Sequence, residues 1–149
     1  LGGIAQAGHL HIEGCPLLPN LDGLEGMDIE GSGGIFLRLK DNLSLTNIDG
    51  LSGTTGPPKG EIRIDGNNAL LNLNGLSKVD GQIFGDLYVM NNVLLNDISG
   101  LSAMTKASFV KVSDNVTLDQ CHIFDVVGNI ETNSFCIKQN KGAACPDDC

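Results

Sequence analysis

Aliphatic residues in this chain fall into pairs separated by a single polar position, and the pairs recur. Leu10/Ile12, Leu37/Leu39, Ile62/Ile64, Leu87/Val89, Val110/Val112 and Phe135/Ile137 each alternate in this way, the period-2 mark of a half-buried strand. Their first members stand 27, 25, 25, 23 and 25 residues apart. Behind a typical pair comes an asparagine and then a second aliphatic set closing on Gly-Leu, as in KDNLSLTNIDGL, DGNNALLNLNGL and MNNVLLNDISGL. The shared pattern is Φ-x-Φ-x-x-Asn-x-x-Leu-x-x-Leu/Ile-x-Gly-Leu, with Φ aliphatic or Phe. A fixed period of this length marks a repeat architecture. One such unit cannot bury its apolar face alone, whereas stacked units can, with strands pairing in parallel between neighbours. The pattern therefore predicts a mainly β fold, a parallel β-solenoid of about six coils, with stretches such as SKVDGQIFG turning the chain back.

Two columns of the repeat are expected to be scaffold. Asn42, Asn67, Asn92, Asn115 and Asn140 occupy the same position in successive units. Stacked inside a turn, each amide can bond backbone groups of its own coil and the next. The first unit carries Cys15 there, and leucine-rich repeats permit the same Asn/Cys alternation. Gly23, Gly50, Gly75 and Gly100 follow the column by eight residues, where a tight turn or a close approach leaves no room for a side chain.

Composition narrows the picture. At 149 residues the chain suits one domain with one core. Aromatics make up 4% and Trp is absent, so aliphatic side chains must fill the interior. A net charge of −9 argues against a nucleic-acid backbone or an anionic membrane as the main partner. No apolar run approaches the ~20 residues of a membrane span. The opening LGGIAQAGHL has no initiator Met, basic n-region or h-region, so it reads as the start of a mature or excised piece rather than a signal peptide.

On the repeated aliphatic-x-aliphatic, Asn, Leu and Gly-Leu positions, the sequence resembles the receptor L domain. That domain is the ligand-binding solenoid of the insulin-receptor and epidermal-growth-factor-receptor families, and its repeat also occurs in bacterial and protist surface proteins. The resemblance covers roughly residues 9–149. SDNVTLDQCHIFDVV looks like the family's closing element, a Cys after the last Asn-x-x-Leu and a short capping helix, and AACPDDC looks like the exit into a Cys-rich module or stalk. The cap lacks the family's Trp, with Phe124 as its substitute, and no N-terminal cysteine-bearing cap helix is present. The resemblance implies a right-handed solenoid over residues 1–144, an exit segment at 145–149, an extracellular or cell-surface location, and ligand binding through the exposed parallel sheet.

Cysteine usage fits that setting. Cys121, Cys136, Cys145 and Cys149 cluster at the C-terminal end, as disulfide staples of a secreted solenoid would. The resemblance implies Cys121 with Cys145, with Cys121 to Cys136 as the alternative, and leaves Cys15 as a small buried hydrophobe. A metal at Cys145 and Cys149 would lack a second ligand pair, so no metal or cofactor is expected. Asn42-Leu-Ser44 and Asn115-Val-Thr117 fit the glycosylation acceptor, but both asparagines belong to the inward column.

Outward strand positions carry the candidate chemistry. His11, Arg38, Arg63, Tyr88, Lys111 and Cys136 form one stripe, flanked by Glu13, Lys40, Asp65, Met90, Ser113 and Lys138, with Phe36, Glu61, Asp86 and Phe109 on the other side. Five of the nine basic residues fall here, in an acidic chain. The bland reading is a solvated face of mixed charge, its like-charged neighbours compensated by interleaved acids. The sharper one makes His11, Arg38, Lys40, Arg63, Tyr88, Met90 and Lys111 contacts for a ligand. Catalysis finds little support. His9, His11 and His122 have no matched nucleophile, no G-x-S-x-G, HExxH or P-loop occurs, and Asp65 with Arg63 and Arg38 makes only a remote lyase-like set. The expectation is a non-enzymatic binding or adhesion module of a larger surface or secreted protein, taking a protein or glycan ligand, without nucleic acid or membrane insertion. The alternative is a structural subunit of a surface filament or appendage that uses the same faces to dock its neighbours.

Overall fold

Each of the six alternating pairs lies in a strand. A computed structural model describes residues 6–29 and 34–142, so the expected exit segment, with Cys145 and Cys149, lies outside the described residues. The strands are β1 (Gln6–Ala7), β2 (Leu10–Glu13), β3 (Asp28–Ile29), β4 (Ile35–Lys40), β5 (Glu61–Asp65), β6 (Gly81–Gln82), β7 (Leu87–Met90), β8 (Met104–Lys106), β9 (Val110–Ser113) and β10 (Phe135–Lys138). The short helix α1 (Gln120–Val127) comes just before β10. Six strands, one per repeat, form a parallel sheet in the order β10-β9-β7-β5-β4-β2. Two small parallel sheets, β1-β3 and β6-β8, lie on the return path.

The inward pairs Leu37/Leu39, Ile62/Ile64, Leu87/Val89 and Val110/Val112 are fully buried. So are the triplets Leu45/Ile48/Leu51, Leu70/Leu73/Leu76 and Leu95/Ile98/Leu101, and all belong to one core. Each such side chain contributes about 1.5–3 kcal/mol of apolar burial. The last residue of each triplet closes a 3-10 turn, Asp49–Leu51, Asn74–Leu76 or Ser99–Leu101. A methyl group added to Gly50, Gly75 or Gly100 would collide with the carbonyl of Leu21, Ile48 or Leu73 in the preceding repeat, so these glycines exist for close approach. Gly23 differs: the space around it is open and its φ is +92°, so there the backbone conformation selects glycine.

The asparagine column is a ladder of backbone clamps. Asn67 Nδ2 donates to Leu39 O at 2.9 Å, Asn92 Nδ2 to Ile64 O at 3.0 Å, and Asn115 Nδ2 to Val89 O at 2.9 Å. Asn42 and Asn140 make the same bond to Ile12 O and Val112 O. In return, each Oδ1 accepts the backbone N–H of the ladder residue one repeat earlier, as in Asn67 N–H to Asn92 Oδ1 at 3.0 Å. Cys15 donates its N–H to Asn42 Oδ1 at 3.1 Å. Asn42 and Asn115 are fully buried, so neither acceptor amide is open to solvent in the folded chain.

Two further columns support this corner. Asp41, Asn91, Asp114 and Gln139, each just before a ladder asparagine, have φ between 54° and 61°. Gly14 and Gly66 hold the same place with φ 65° and 71°. Glycine, asparagine and aspartate are the residues that tolerate this left-handed conformation best. Five residues beyond the ladder, Asn20, Asn47, Asn72 and Asp97 each accept the backbone N–H two residues on, closing the turn with a side chain in place of a backbone group.

Two expectations need correction. Phe36 is not on the outer face. The pairing of β4 with β5 shifts register between Ile35 and Leu37, and Phe36, the residue in the slip, is buried at 1% exposure. A bulge redirects one side chain without disturbing the pairs beyond it. Cys15 is exposed rather than buried, because it stands in the first repeat, where Leu10 and Ile12 are themselves only half-buried. At the other end α1 packs beside the Ser99–Leu101 turn. Asp119 caps it by accepting the N–H groups of Cys121 and His122, while Ile123, Val126 and Val127 turn inward. Cys121 and Cys136 are disulfide-bonded; the pairing of Cys121 with Cys145 involves a residue outside those described.

Candidate ligand-binding face

Between the buried pairs, the outward residues stand in register from strand to strand. His11 neighbours Arg38, then follow Arg63, Tyr88, Lys111 and Cys136. The second row, Glu13, Lys40, Asp65, Met90, Ser113 and Lys138, is in register by the same pairings. Alternation along the strands and parallel pairing between them thus bring together residues up to 125 positions apart into one surface.

The middle of the first row is tightly organised. The Arg63 guanidinium lies 4.1 Å from the Tyr88 ring centroid, a cation–π stack. Arg63 Nε also donates to Glu61 Oε1 at 2.9 Å. On its other side Tyr88 meets the edge of Phe109, with centroids 5.8 Å apart at 61°. Its hydroxyl donates to Asp86 Oδ2 at 3.0 Å. The hydrogen bond to Glu61 raises the Arg63 pKa against the opposing effect of burial. Burial, then the Asp86 contact, raises that of Tyr88. The tyrosine is held neutral with a guanidinium over its ring and a phenyl ring set at an angle beside it.

Flanking this cluster are two cations that find no carboxylate. Arg38 and Lys111 make no ion pair among the described residues, and Arg38 Nε is a buried donor without a hydrogen-bond partner. Lys40 is different. Its Nζ lies 2.8 Å from Glu13 Oε1 and 3.2 Å from Asp41 Oδ2, and His11 Nε2 lies 2.9 Å from Glu13 Oε2. Lys40 first, then His11, holds the Glu13 carboxyl down at about 2, well below its ordinary value of 4.5. The hydrogen bonds to Glu13 and Asp41 raise the Lys40 pKa in turn. This corner of the face is internally neutralised; the stretch containing Arg38 and Lys111 is not.

Met90, expected as a surface contact, is buried at 9% exposure, and Ser113 beside it is fully buried. The apolar thioether gains from cover rather than from solvent, and the short Ser113 side chain sits low between longer neighbours. Met90 is thus support for the face rather than part of it, and Ser113 Oγ finds no hydrogen-bond partner.

The three histidines do not converge. His9 is exposed, His11 belongs to the Glu13 corner, and His122 lies on α1 with Nε2 3.4 Å from Asp97 Oδ1. Among the described residues no group of three or more His, Cys, Asp or Glu side chains could hold a metal ion, and no helix is long and apolar enough to cross a membrane. No protein-family model, curated protein or solved structure matches the chain. What the face does chemically therefore rests on its own geometry. Its aromatic centre and its three cations without ion pairs among the described residues, Arg38, Lys111 and Lys138, were foreshadowed by residue type, whereas the neutralisation of Lys40 by Glu13 comes from a neighbour a repeat away and is not written in the local sequence.

Proposed function

We propose that the repeats wind as a right-handed parallel β-solenoid of the receptor L-domain type, and that the chain is a non-enzymatic extracellular binding module. Sequential parallel pairing of the six strands supports the winding, since crossovers between parallel neighbours are right-handed in the great majority of cases. The C-terminal cysteine cluster supports the oxidising compartment. The ligand-binding reading is carried by one observation: in a chain of net charge −9, Arg38 and Lys111 stand without carboxylate partners on either side of the fixed Arg63–Tyr88–Phe109 cluster. Arginine and tyrosine, rigid and partly desolvated, are the residue types that dominate binding hot spots. The partner is an acidic segment of a protein, or an acidic glycan, that packs an apolar group against the outer edge of the Arg63–Tyr88–Phe109 cluster and sets a carboxylate against each flanking cation.

The test is selection from a random displayed-peptide library and, in parallel, an array of neutral and acidic glycans. Bound sequences should be enriched in Asp and Glu next to an aromatic. The double variant Arg38→Glu/Lys111→Glu should lose that binding while melting at the wild-type temperature. Ligands captured equally by wild type and variant would show that the sheet face is not the site.

A further inference from the structure

Two rungs of the asparagine ladder carry a chemistry that the sheet face does not use. Asn42-Leu-Ser44 and Asn115-Val-Thr117 are complete N-glycosylation acceptors, whereas Asn67, Asn92 and Asn140 lack the hydroxyl residue two positions on. In the folded chain both acceptor amides are fully engaged. Asn42 Nδ2 donates one proton to Ile12 O at 3.0 Å and the other to Asn67 Oδ1 at 3.1 Å. Asn115 Nδ2 divides its two protons in the same way, to Val89 O at 2.9 Å and to Asn140 Oδ1 at 3.3 Å. The hydroxyl of one acceptor is engaged too, since Thr117 Oγ1 donates to Val93 O at 2.6 Å. Both asparagines are 0% exposed. A glycan replaces one amide proton with a bulky, strongly hydrated sugar. It would break a rung contact and cannot be housed at a position closed to solvent.

We infer that Asn42 and Asn115 are modification sites of the unfolded chain alone, and that folding and N-glycosylation compete for the same two nitrogens. Its relevance to the living chain rests on the extracellular reading, because the transferase and its donor, a polyprenyl-pyrophosphate-linked sugar, act on secreted proteins. In the reaction the amide nitrogen attacks the anomeric carbon of the donor. A C–N bond forms, the bond from that carbon to the pyrophosphate oxygen breaks, and the nitrogen gives up one proton. Nitrogen and proton are accessible only until the ladder closes. For Asn42 the partner that closes it is Asn67, 25 residues later in the chain. At roughly 5–20 residues per second, about 1–5 s of synthesis separate the two. A chain that takes the sugar first cannot close that rung, and the neighbouring rungs lose their stacking partner. Glycosylation thus marks, irreversibly, the chains whose stack forms too slowly, and the folded population carries no glycan at either site.

The test is translation of the chain, behind a cleavable signal peptide, into microsomes that carry the transferase and its donor. Each glycan shows as a mass step on a denaturing gel, and folding shows as resistance to trypsin under native conditions. Glycosylated chain should be digested while glycan-free chain survives. Leu73→Ala, a change at a fully buried core position, should carry severalfold more glycan than wild type. In that background Ser44→Ala and Thr117→Val remove the acceptor hydroxyls, leave the rung amides in place, and should each remove one mass step. Glycosylated chain as resistant as the glycan-free form would overturn the inference. So would a Leu73→Ala chain with no more glycan than wild type, or mass steps that survive both hydroxyl substitutions. The microsomes supply the transferase whatever the natural location of the chain, so failure of the extracellular reading would leave these results unchanged.

Discussion

The two sides of the same strands follow opposite rules. Inward, successive repeats place near-identical residues in identical positions: Leu39, Ile64, Val89 and Val112 in one column, and Asn42, Asn67, Asn92 and Asn115 in another, all fully buried. Outward, the row His11, Arg38, Arg63, Tyr88, Lys111 and Cys136 varies in residue type, with only Arg38 and Arg63 alike, although its backbone is equally regular. Repetition serves the stack, because each layer must satisfy the same backbone groups and fill the same volume as the one before. A surface that recognises something irregular must break the repeat. On the proposed binding function, the varied column is where specificity would reside, whereas the periodic columns hold the buried core and the backbone clamps.

Substitutions that exchange these roles test the distinction. The largest expected effect is at Asn92→Ala. Its Oδ1 accepts the Asn67 N–H, and its Nδ2 donates to Ile64 O and Met90 O. Orphaning two buried groups at about 1–3 kcal/mol each should cost about 2–6 kcal/mol in urea unfolding. Next comes Leu73→Ala, a large-to-small change at a fully buried site, expected to cost about 2–5 kcal/mol; a loss below ~1 kcal/mol would contradict its place in the core. Arg63→Ala, on β5 but outward, forfeits a partly screened pair with Glu61 and the stack on Tyr88 and should cost about 1 kcal/mol or less. The smallest effect is electrostatic. Glu13 is lowered to about 2, so its contribution to stability is in place above its ordinary 4.5 and fades as pH falls from there toward 2. Carboxyl chemical shifts followed through an acid titration should show the low value, and Lys40→Ala should move it upward. An unchanged Glu13 titration in that variant would remove Lys40 as the cause.

Much of the periodic half was readable in the sequence, because backbone satisfaction and aliphatic burial impose the same residue types at fixed spacing. The strand pairs, the ladder and three of the four column glycines follow from spacing alone. Departures came where a single repeat deviates. Phe36 looks like one more outward neighbour until the extra residue in β4 rotates it inward. Met90 and Cys15 are misplaced by pattern because one is covered by its surroundings and the other stands where the stack is thin. A clue was missed at the residues before the ladder: Asp41, Gly66, Asn91 and Asp114 are all left-handed formers, a column as regular as the asparagines themselves, although Gln139 blurs it. The outer face was legible as a list of residues but not as an electrostatic surface: Arg63 pairs locally with Glu61, but the pairing of Lys40 with Glu13 and the stacking of Arg63 on Tyr88 depend on side chains meeting across repeats.

The asparagine ladder also bears on how such a chain can change over evolutionary time. Every rung from Asn42 to Asn140 accepts the backbone N–H of its predecessor on Oδ1 and donates its Nδ2 to a carbonyl of the preceding repeat. A duplicated stretch of about 25 residues inserted between two rungs would inherit a complete set of partners above and below, without a single compensating substitution. Deleting one would leave the remaining rungs equally matched. Unequal recombination within the gene would thus yield foldable proteins of different length, each carrying the outer row with a residue inserted or removed.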